Sequence, residues 1–240
     1  KFNPDTARME MENFFEVALN PLGISKFLHT VTSGYTISAL FVIGISAWFL
    51  IQKRHILLAK KSIVVASAFG LITSAFLLLS GDESAYLAAQ KQPMKLAAME
   101  GLYNGEKNAG LVAAGILNPA KKLGDESDAF LLEIKVPYAL GIMANRELDS
   151  FTPGINDLLY GNSEHNLISV EEKMAKGKVA IEALKNYKEA KKANDESLMK
   201  SSLSNLESNL NFLGYGYLKD AKDAVPPVAL TFYSFHIMVA

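Results

Sequence analysis

Residues 24–51 read ISKFLHTVTSGYTISALFVIGISAWFLI, and residues 62–80 read SIVVASAFGLITSAFLLLS. An α-helix rises 1.5 Å per residue, so about 20 apolar residues cross the hydrocarbon core of a bilayer. Both stretches have about this length or more and carry almost no charge. Their Ser, Thr, Gly and Ala residues are typical of membrane helices that pack closely. The two stretches therefore predict a pair of transmembrane helices.

The turn between them, residues 52–61, is basic and predicts the topology. Short basic loops stay on the cytoplasmic side of a membrane, so we expect this turn to be cytoplasmic and the long segment 81–223 to be extracytoplasmic. The basic residues of the turn are Lys53, Arg54, Lys60 and Lys61.

The two ends of the chain complete the predicted domain organisation. Residues 1–23 mix charged and apolar side chains, which indicates an amphipathic segment approaching the membrane. Residues 224–240 begin a further apolar run after Pro226-Pro227 and predict the start of a third transmembrane helix. The chain opens on Lys and stops inside that run, so we expect both ends to be cuts.

The segment 81–223 is predicted to be mainly helical, with helical periodicity at 127–145, 168–191 and 196–213. The predicted fold class is all-α. It is an integral membrane helical protein with a helical hairpin, a truncated third span and a long, mainly helical extracytoplasmic loop.

Composition excludes several function classes. The net charge is −1, which gives no electrostatic basis for nucleic-acid binding. The chain has no cysteine, which excludes disulfides, thiolate metal sites and cysteine nucleophiles. It also lacks a glycine-rich phosphate loop, a Ser/His/Asp order and an HExxH motif.

His29 and Met238 are the candidate metal ligands. An ionisable residue inside a bilayer is costly and usually functional. The alternative for His29 is a structural histidine that bonds a neighbouring helix, and for Met238 it is ordinary apolar packing. Together, His and Met are able to hold a six-coordinate haem iron. Helical rise places His29 about 8–10 Å and Met238 about 18–20 Å deep, a mismatch of about 10 Å.

Lys95 and Glu100 form a second candidate pair, on a helix predicted to start at Pro93. A lysine and a carboxylate near a membrane surface suit binding of quinol oxygens and acceptance of a quinol proton. The alternative is a surface helix with ordinary charges. Residues five apart lie about 140° apart around an ideal helix, so the two side chains do not share one face unless the helix is irregular or the quinone lies between them.

Six segments together resemble one family, subunit I of cytochrome bd quinol oxidase. They follow the family's order over nearly the whole chain: FNPDTARMEM (2–11), NPLGISKFLHTVTSGY with GISAWFL (20–50), GDES with QPMKLAAMEGLY (81–103), VPYALGIMANR (136–146), GYGYL (214–218) and FYSFHIMVA (232–240).

The resemblance implies roles for single residues. His29 and Met238 match the axial ligands of the low-spin haem b. Lys95 and Glu100 match the quinol-binding pair of the loop called the Q loop, here 81–223. The family commonly has FRIM where this chain has FHIM, so His236 replaces an arginine thought to steady the charge of that haem. We therefore expect the haem potential to differ or to become more dependent on pH.

The resemblance also implies what lies outside the chain. The intact oxidase would carry a high-spin haem b and a haem d, a subunit II and, in some cases, a small accessory subunit, in the bacterial cytoplasmic membrane. This chain alone would not reduce oxygen. Two other interpretations stay open from the residues themselves: a b-type membrane cytochrome that only relays electrons, and a non-haem transporter or scaffold in which His29 is structural.

Overall fold

The computed structural model describes residues 2–239 and contains two compact units. One is Asn13–Leu87, and the other joins Lys1–Glu12 to Ala88–Ala240. The chain is helical over most of its length, which confirms the predicted helical class.

The helices are α1 (Phe14–Ala18), α2 (Pro21–Ile51), α3 (Ile56–Lys91), α4 (Pro93–Glu100), α5 (Ala139–Asn145), α6 (Ile155–Tyr160), α7 (Val170–Ala193), α8 (Glu196–Asn209) and α9 (Val228–Val239). The strands are β1 (Phe2–Asn3), β2 (Arg8–Met9), β3 (Glu106–Lys107), β4 (Leu111–Leu117), β5 (Phe130–Val136) and β6 (Phe151–Thr152). Two 3-10 segments follow α8, at Leu210–Tyr217 and Ala221–Ala224.

The unit Asn13–Leu87 is dominated by α2 and α3, and both helices are long and apolar enough to cross a membrane. Asn20 caps α2, because its side chain accepts the backbone N–H of Leu22, and Pro21 occupies the first turn. The turn between the helices is shorter than predicted, since α3 already begins at Ile56. The second helix also continues beyond residue 80 to Lys91, because AYLAAQK (85–91) consists mostly of good helix formers.

Small residues hold α2 and α3 together in one antiparallel register. On α2 the buried residues Thr32, Ala39 and Ser46 are seven apart. On α3 the buried residues are also small: Ala59, Ala66, Gly70 and Thr73. A seven-residue repeat of small side chains gives a continuous seam along which two helices approach closely.

Polar contacts across this seam keep the same register. Thr36 Oγ1 donates to Thr73 Oγ1 at 3.2 Å, and the Ser25 and Ser84 hydroxyls lie 3.1 Å apart. A Cβ added at Gly70 would lie 3.1 Å from the Ala39 Cβ, which is a tight approach. These contacts therefore fix the register of α2 against α3.

In the other unit, α7 and α8 form a helical hairpin that receives the start of the chain. Strands β1 and β2 pair antiparallel, and Phe2 and Ala7 pack against buried residues of α7 and α8. Asp5 accepts the Tyr187 hydroxyl at 3.2 Å and pairs with Lys191 at 2.6 Å. Residues 2–9 are thus anchored on the predicted loop domain by both apolar and charged contacts.

The helix predicted over 127–145 is wrong for its first part. Residues 130–136 form β5, which pairs antiparallel with β4, and only Ala139–Asn145 is helical. The sequence LEIKV (132–136) alternates apolar and charged side chains, which is the two-residue period of a strand. The predicted helices over 168–191 and 196–213 correspond to α7 and to α8 with the first 3-10 segment.

Candidate functional site

His29 lies on α2, half-buried against α3. Its Nδ1 is 3.0 Å from the Oγ of Ser80 on α3, and Gly81 leaves space beside the ring. A Cβ at Gly81 would come within 3.4 Å of the imidazole Cε1. The position is therefore both hydrogen-bonded and sterically defined.

The partner of Ser80 decides which ring nitrogen of His29 is free. The Ser80 hydroxyl donates its single hydrogen to the carbonyl of Leu77 at 3.0 Å, so toward His29 its oxygen acts as acceptor. His29 Nδ1 then carries the N–H, and Nε2 presents its lone pair. Histidines that bind metals usually donate their second nitrogen in this way, so the residue fits the chemistry of an axial haem ligand.

Met238 lies on α9, in the other unit, and its side chain is exposed. The neighbouring Ile237 and Val239 are exposed as well, so exposure does not single out Met238, and its candidacy rests on the soft thioether as an iron ligand. Met238 comes ten residues after the start of α9 at Val228, or about 15 Å along the axis, and His29 eight residues after the start of α2, or about 12 Å.

Glu100 is the last residue of α4, and it is 1% exposed. The helix ends there because Gly101 adopts a left-handed conformation, with φ of 63°. Neither carboxylate oxygen has a hydrogen-bond partner of normal geometry among the described residues. A buried carboxyl group without partners is costly, and such a group is most often retained for function.

Burial raises the pKa of Glu100 to about 7. The charge of His236 and the nearby backbone N–H of Val112 act in the opposite direction but do not cancel the effect. The position at the carboxyl end of α4 also disfavours a negative charge. A carboxyl group with a pKa near 7 is suited to accept and release a proton at neutral pH.

A cavity of about 610 Å³ opens beside Glu100. It lies between the end of α4, the hairpin of β4 and β5, and the loop before β5, with Tyr103, Val112 and Phe130 among its walls. Lys121 fastens that loop: its ammonium is buried, pairs with Asp125 Oδ1 at 2.9 Å and donates to two backbone carbonyls. The volume is in the range of sites that hold small organic ligands.

The structure does not bring Lys95 and Glu100 into one cavity. Lys95 is exposed and lines a second cavity of about 540 Å³, whereas Glu100 is buried and lines the first. This separation agrees with the angle of about 140° expected for residues five apart on a helix.

His236 connects α9 to strand β4. Its Nε2 is 2.9 Å from the carbonyl of Val112 on β4, and its Nδ1 is 2.9 Å from the carbonyl of Phe232. Both ring nitrogens thus lie at hydrogen-bonding distance from carbonyl oxygens, one on β4 and one in the preceding turn of α9. His236 also lies near Glu100 and two residues before Met238.

Sequence reasoning missed three of these contact residues: Ser80, Val112 and Tyr233. Tyr233 accepts the backbone N–H of Leu117 at 3.1 Å and is a second connection between α9 and β4. Val112 acts through its backbone carbonyl, which leaves no signal in the side chain. Ser80 left only an approximate signal: residues about equally far from the turn of a helical hairpin face each other, and the predicted turn pairs His29 with residue 84, one helical turn from Ser80.

Comparison with known proteins agrees with this architecture. The family model described as cytochrome bd terminal oxidase subunit I matches residues 1–240. The chain belongs to this family. It is 34% identical to cytochrome bd-II ubiquinol oxidase subunit 1 of Escherichia coli (strain K12), with 99% of this chain and 46% of that protein covered. It is 30% identical to cytochrome bd ubiquinol oxidase subunit 1 of Bacillus subtilis (strain 168), with 68% and 35% covered.

The bd oxidase of Geobacillus thermodenitrificans shares the fold, with a TM-score of 0.57 and 19% identity over 99% of this chain and 59% of that chain. The chain spans about half the length of the E. coli relative and about a third of the B. subtilis one. Family and apolar helices together make this bd family member an integral membrane protein.

Proposed function

We propose that the intact protein containing this chain is a quinol:oxygen oxidoreductase and that this segment carries its quinol site and its low-spin haem b site. Support for the oxidase assignment comes from the family match over residues 1–240. The observation that carries the site assignment is Glu100, a buried carboxyl group that has no hydrogen bond of normal geometry among the described residues and lines a cavity of suitable size.

Glu100 is the proposed base for quinol oxidation. Oxidation of one quinol releases two electrons and two protons, and a carboxyl group with a pKa near 7, about half ionised at neutral pH, is able to accept one of those protons and to release it again. Lys95, which the family resemblance assigns to the same substrate, lies on a different side of α4. We propose that it acts on quinol binding from there and does not share a proton with Glu100.

His29 and Met238 are the proposed axial ligands of the low-spin haem b. His29 presents Nε2 because Ser80 accepts the N–H of its other nitrogen, and Met238 presents an exposed thioether on an apolar helix. When bound, the haem supplies one-electron chemistry that a side chain does not supply. His236 is the proposed substitute for the family's arginine, with its ring placed between two carbonyl oxygens.

In the complete complex, the proposal places a high-spin haem b, a haem d and subunit II beyond this chain, together with a small accessory subunit in some complexes. Two quinols would then deliver four electrons to one oxygen molecule, which becomes two waters with four protons. The proposed location is the bacterial cytoplasmic membrane, with the basic turn inside and the Q loop outside.

Kinetics of the purified intact oxidase test the quinol site. Glu100→Gln is expected to slow quinol oxidation about 100-fold with the haem spectrum unchanged, because a positioned base contributes 10²–10⁴-fold. Lys95→Ala is expected to slow it less. Because both residues are proposed to act on the same quinol, the double variant is expected to deviate from additivity, and the deviation measures their coupling through the substrate. Unchanged turnover of both single variants at limiting quinol would refute the assignment.

Spectra test the haem site. His29→Ala should abolish the low-spin b band, and an unchanged band would exclude His29 as a ligand. For His236, the midpoint potential of that haem is titrated between pH 6 and 8. The parent's potential is expected to vary with pH in this range, and a flat potential would contradict the role of His236. His236→Arg should remove that dependence, and His236→Gln should lower the potential, because a positive charge near the haem stabilises the ferrous form. Equal potentials in all three proteins would contradict the assignment.

A further inference from the structure

The cavity beside Glu100 needs a second polar group if it is to hold a quinol. A quinol ring carries two hydroxyl oxygens at opposite ends, and small-molecule sites fix the orientation of a ligand with a few well-placed polar groups. Glu100 supplies one such group, whereas Lys95 lines the other cavity. The second group is therefore expected among the remaining residues that line the cavity of Glu100.

Lys121 is one of two lysines that line this cavity, but its ammonium is fully used within the protein. An ammonium has three N–H donors. That of Lys121 pairs with Asp125 Oδ1 at 2.9 Å and donates to the backbone carbonyls of Asp125 and Ser127, which accounts for all three. Only 2% of the side chain is exposed. Lys121 therefore holds its own loop and has no donor left for a ligand.

Lys135 on β5 is the other lysine of the cavity, and its ammonium is only loosely paired. Its Nζ lies 3.3 Å from Glu133 Oε1 and 4.0 Å from Glu106 Oε1. Both distances are longer than the roughly 2.7–3.2 Å of a protein hydrogen bond. Among residues 2–239, the ammonium makes these two ion pairs and no hydrogen bond of normal geometry. Its N–H donors are therefore available to an oxygen atom of a ligand.

The β4–β5 hairpin places Lys135 near Glu100. Lys135 is the pairing partner of Val112 on β4, and the backbone N–H of Val112 approaches the carboxyl group of Glu100. Paired residues of antiparallel strands have Cβ atoms only about 4.5–5.5 Å apart. All three residues line the same cavity. Val112 therefore connects the wall that carries the carboxyl group to the wall that carries the ammonium.

Gly110 leaves room for the side chain of Lys135 along the cavity wall. A Cβ added at Gly110 would lie 3.5 Å from both the Cβ and the Cδ of Lys135, and 3.3 Å from the carbonyl oxygen of Val136. A side chain longer than that of alanine would therefore compete with the lysine for this space. About a third of the Lys135 side chain is exposed, so its ammonium is within reach of a ligand in the cavity.

On the basis of the proposed quinol site, we infer that Lys135 binds the quinol oxygen opposite the one that gives its proton to Glu100. The ammonium donates a hydrogen bond to that oxygen, which is able to accept it both as the hydroxyl of the quinol and as the carbonyl of the quinone. A hydrogen bond from a charged donor is stronger than a neutral one. Because the contact exists before and after oxidation, Lys135 orients the ring and takes up no proton itself.

Steady-state kinetics of the purified intact oxidase test the role of Lys135. The substrate is decylubiquinol or menadiol, whichever the parent oxidises faster, and its oxidised form is the added product. Lys135→Gln is expected to raise the KM for the quinol and the inhibition constant of the quinone about tenfold each, the loss typical of one charge-assisted hydrogen bond. The kcat should change little, because binding that is equal in the ground and transition states affects KM. Lys135→Arg keeps a charged donor and should keep both constants near those of the parent.

Two further variants separate ligand binding from the ion pair. Glu133→Gln removes the nearer carboxylate but leaves the ammonium, so it should raise neither constant. Lys107→Gln is the matched control, because Lys107 is an exposed lysine of β3 and lines neither cavity. Raised constants in Lys135→Gln alone support the inference. Equal rises in Lys135→Gln and Glu133→Gln would show that the ion pair only holds the cavity wall, and would overturn it.

Glu100→Gln in the same assay separates the role of Lys135 from the quinol site itself. If Glu100→Gln slows turnover while Lys135→Gln leaves both constants at the parent's values, the quinol site stands and the role of Lys135 is overturned. If neither variant changes the kinetics, quinol is not oxidised in this cavity, and both proposals are wrong.

Discussion

Ser80→Ala is the most direct test of why His29 is placed where it is. The substitution removes one oxygen, the acceptor that lies 3.0 Å from His29 Nδ1. It leaves α3 intact, since alanine is the best helix former and the donor bond from Ser80 to Leu77 is local to the helix. The change therefore acts on the orientation and tautomer of one imidazole.

Two magnitudes follow from this contact. Loss of an interhelical hydrogen bond costs about 1 kcal/mol of stability, and the N–H left without an acceptor adds about 1 kcal/mol more where water does not reach it. If His29 is a haem ligand, removal of the acceptor behind it weakens haem binding about 10-fold to 100-fold, or roughly 1.4–2.8 kcal/mol.

The assay is transfer of the low-spin haem from the intact oxidase to apomyoglobin, followed by the decay of the low-spin b band. Ser84→Ala is the control, because Ser84 lies one turn further along α3 and makes the equivalent contact to Ser25 at 3.1 Å. Ser80→Ala should lose haem at least ten times faster than Ser84→Ala. If both variants lose haem at the parent's rate while both melt at a lower temperature, Ser80 has only a structural role and the ligand geometry inferred here is wrong.

Three further predictions concern the unit that holds the Q loop. Glu100→Gln should stabilise the protein by roughly 3 kcal/mol above pH 7 and not at all below about pH 4.5. Burial raises the pKa of Glu100 to about 7, so the parent protein loses stability as the pH rises between these two values. Melting curves of both proteins at pH 4.5 and pH 8 check this. Gly177→Ala should cost about 3 kcal/mol, because its Cβ would meet backbone atoms of Phe212 and Gly216, and thermal melts measure the loss. Lys121→Met should speed hydrogen exchange across residues 118–128, since the buried ammonium that holds Asp125 is gone; unchanged exchange there would show that the loop is held by other contacts.

The helical hairpin is the part of the fold that sequence predicts best. Two uncharged stretches of sufficient length separated by a basic turn leave few alternatives, and the structure has the two helices. The predicted ends of the two helices were less accurate. A turn at 52–61 has its midpoint between residues 56 and 57, and residue 84 is then as far from that midpoint as His29. The observed partner of His29 is Ser80, one helical turn away. Hydropathy does not predict that a helix continues beyond its apolar run, as α3 does through residues 81–91.

The candidate site was less predictable than the fold, because its decisive features are non-local. The angle between Lys95 and Glu100 follows from helix geometry, and the structure has them on different cavities as that angle requires. Burial of Glu100 does not follow from the same rule. It depends on α9 and on the β4–β5 hairpin, whose second strand lies where a helix was predicted. The two carbonyl contacts of His236 depend on the same packing.

Packing within this unit also connects the two proposed sites. The carbonyl of Val112 accepts a hydrogen bond from His236, and the N–H of the same residue approaches Glu100. His236 is two residues from Met238 on α9, so a single stretch of β4 touches both the proposed quinol base and the helix of the proposed haem ligand. Through His236, the backbone of β4 is therefore hydrogen-bonded directly to α9, the helix that carries the proposed haem ligand Met238.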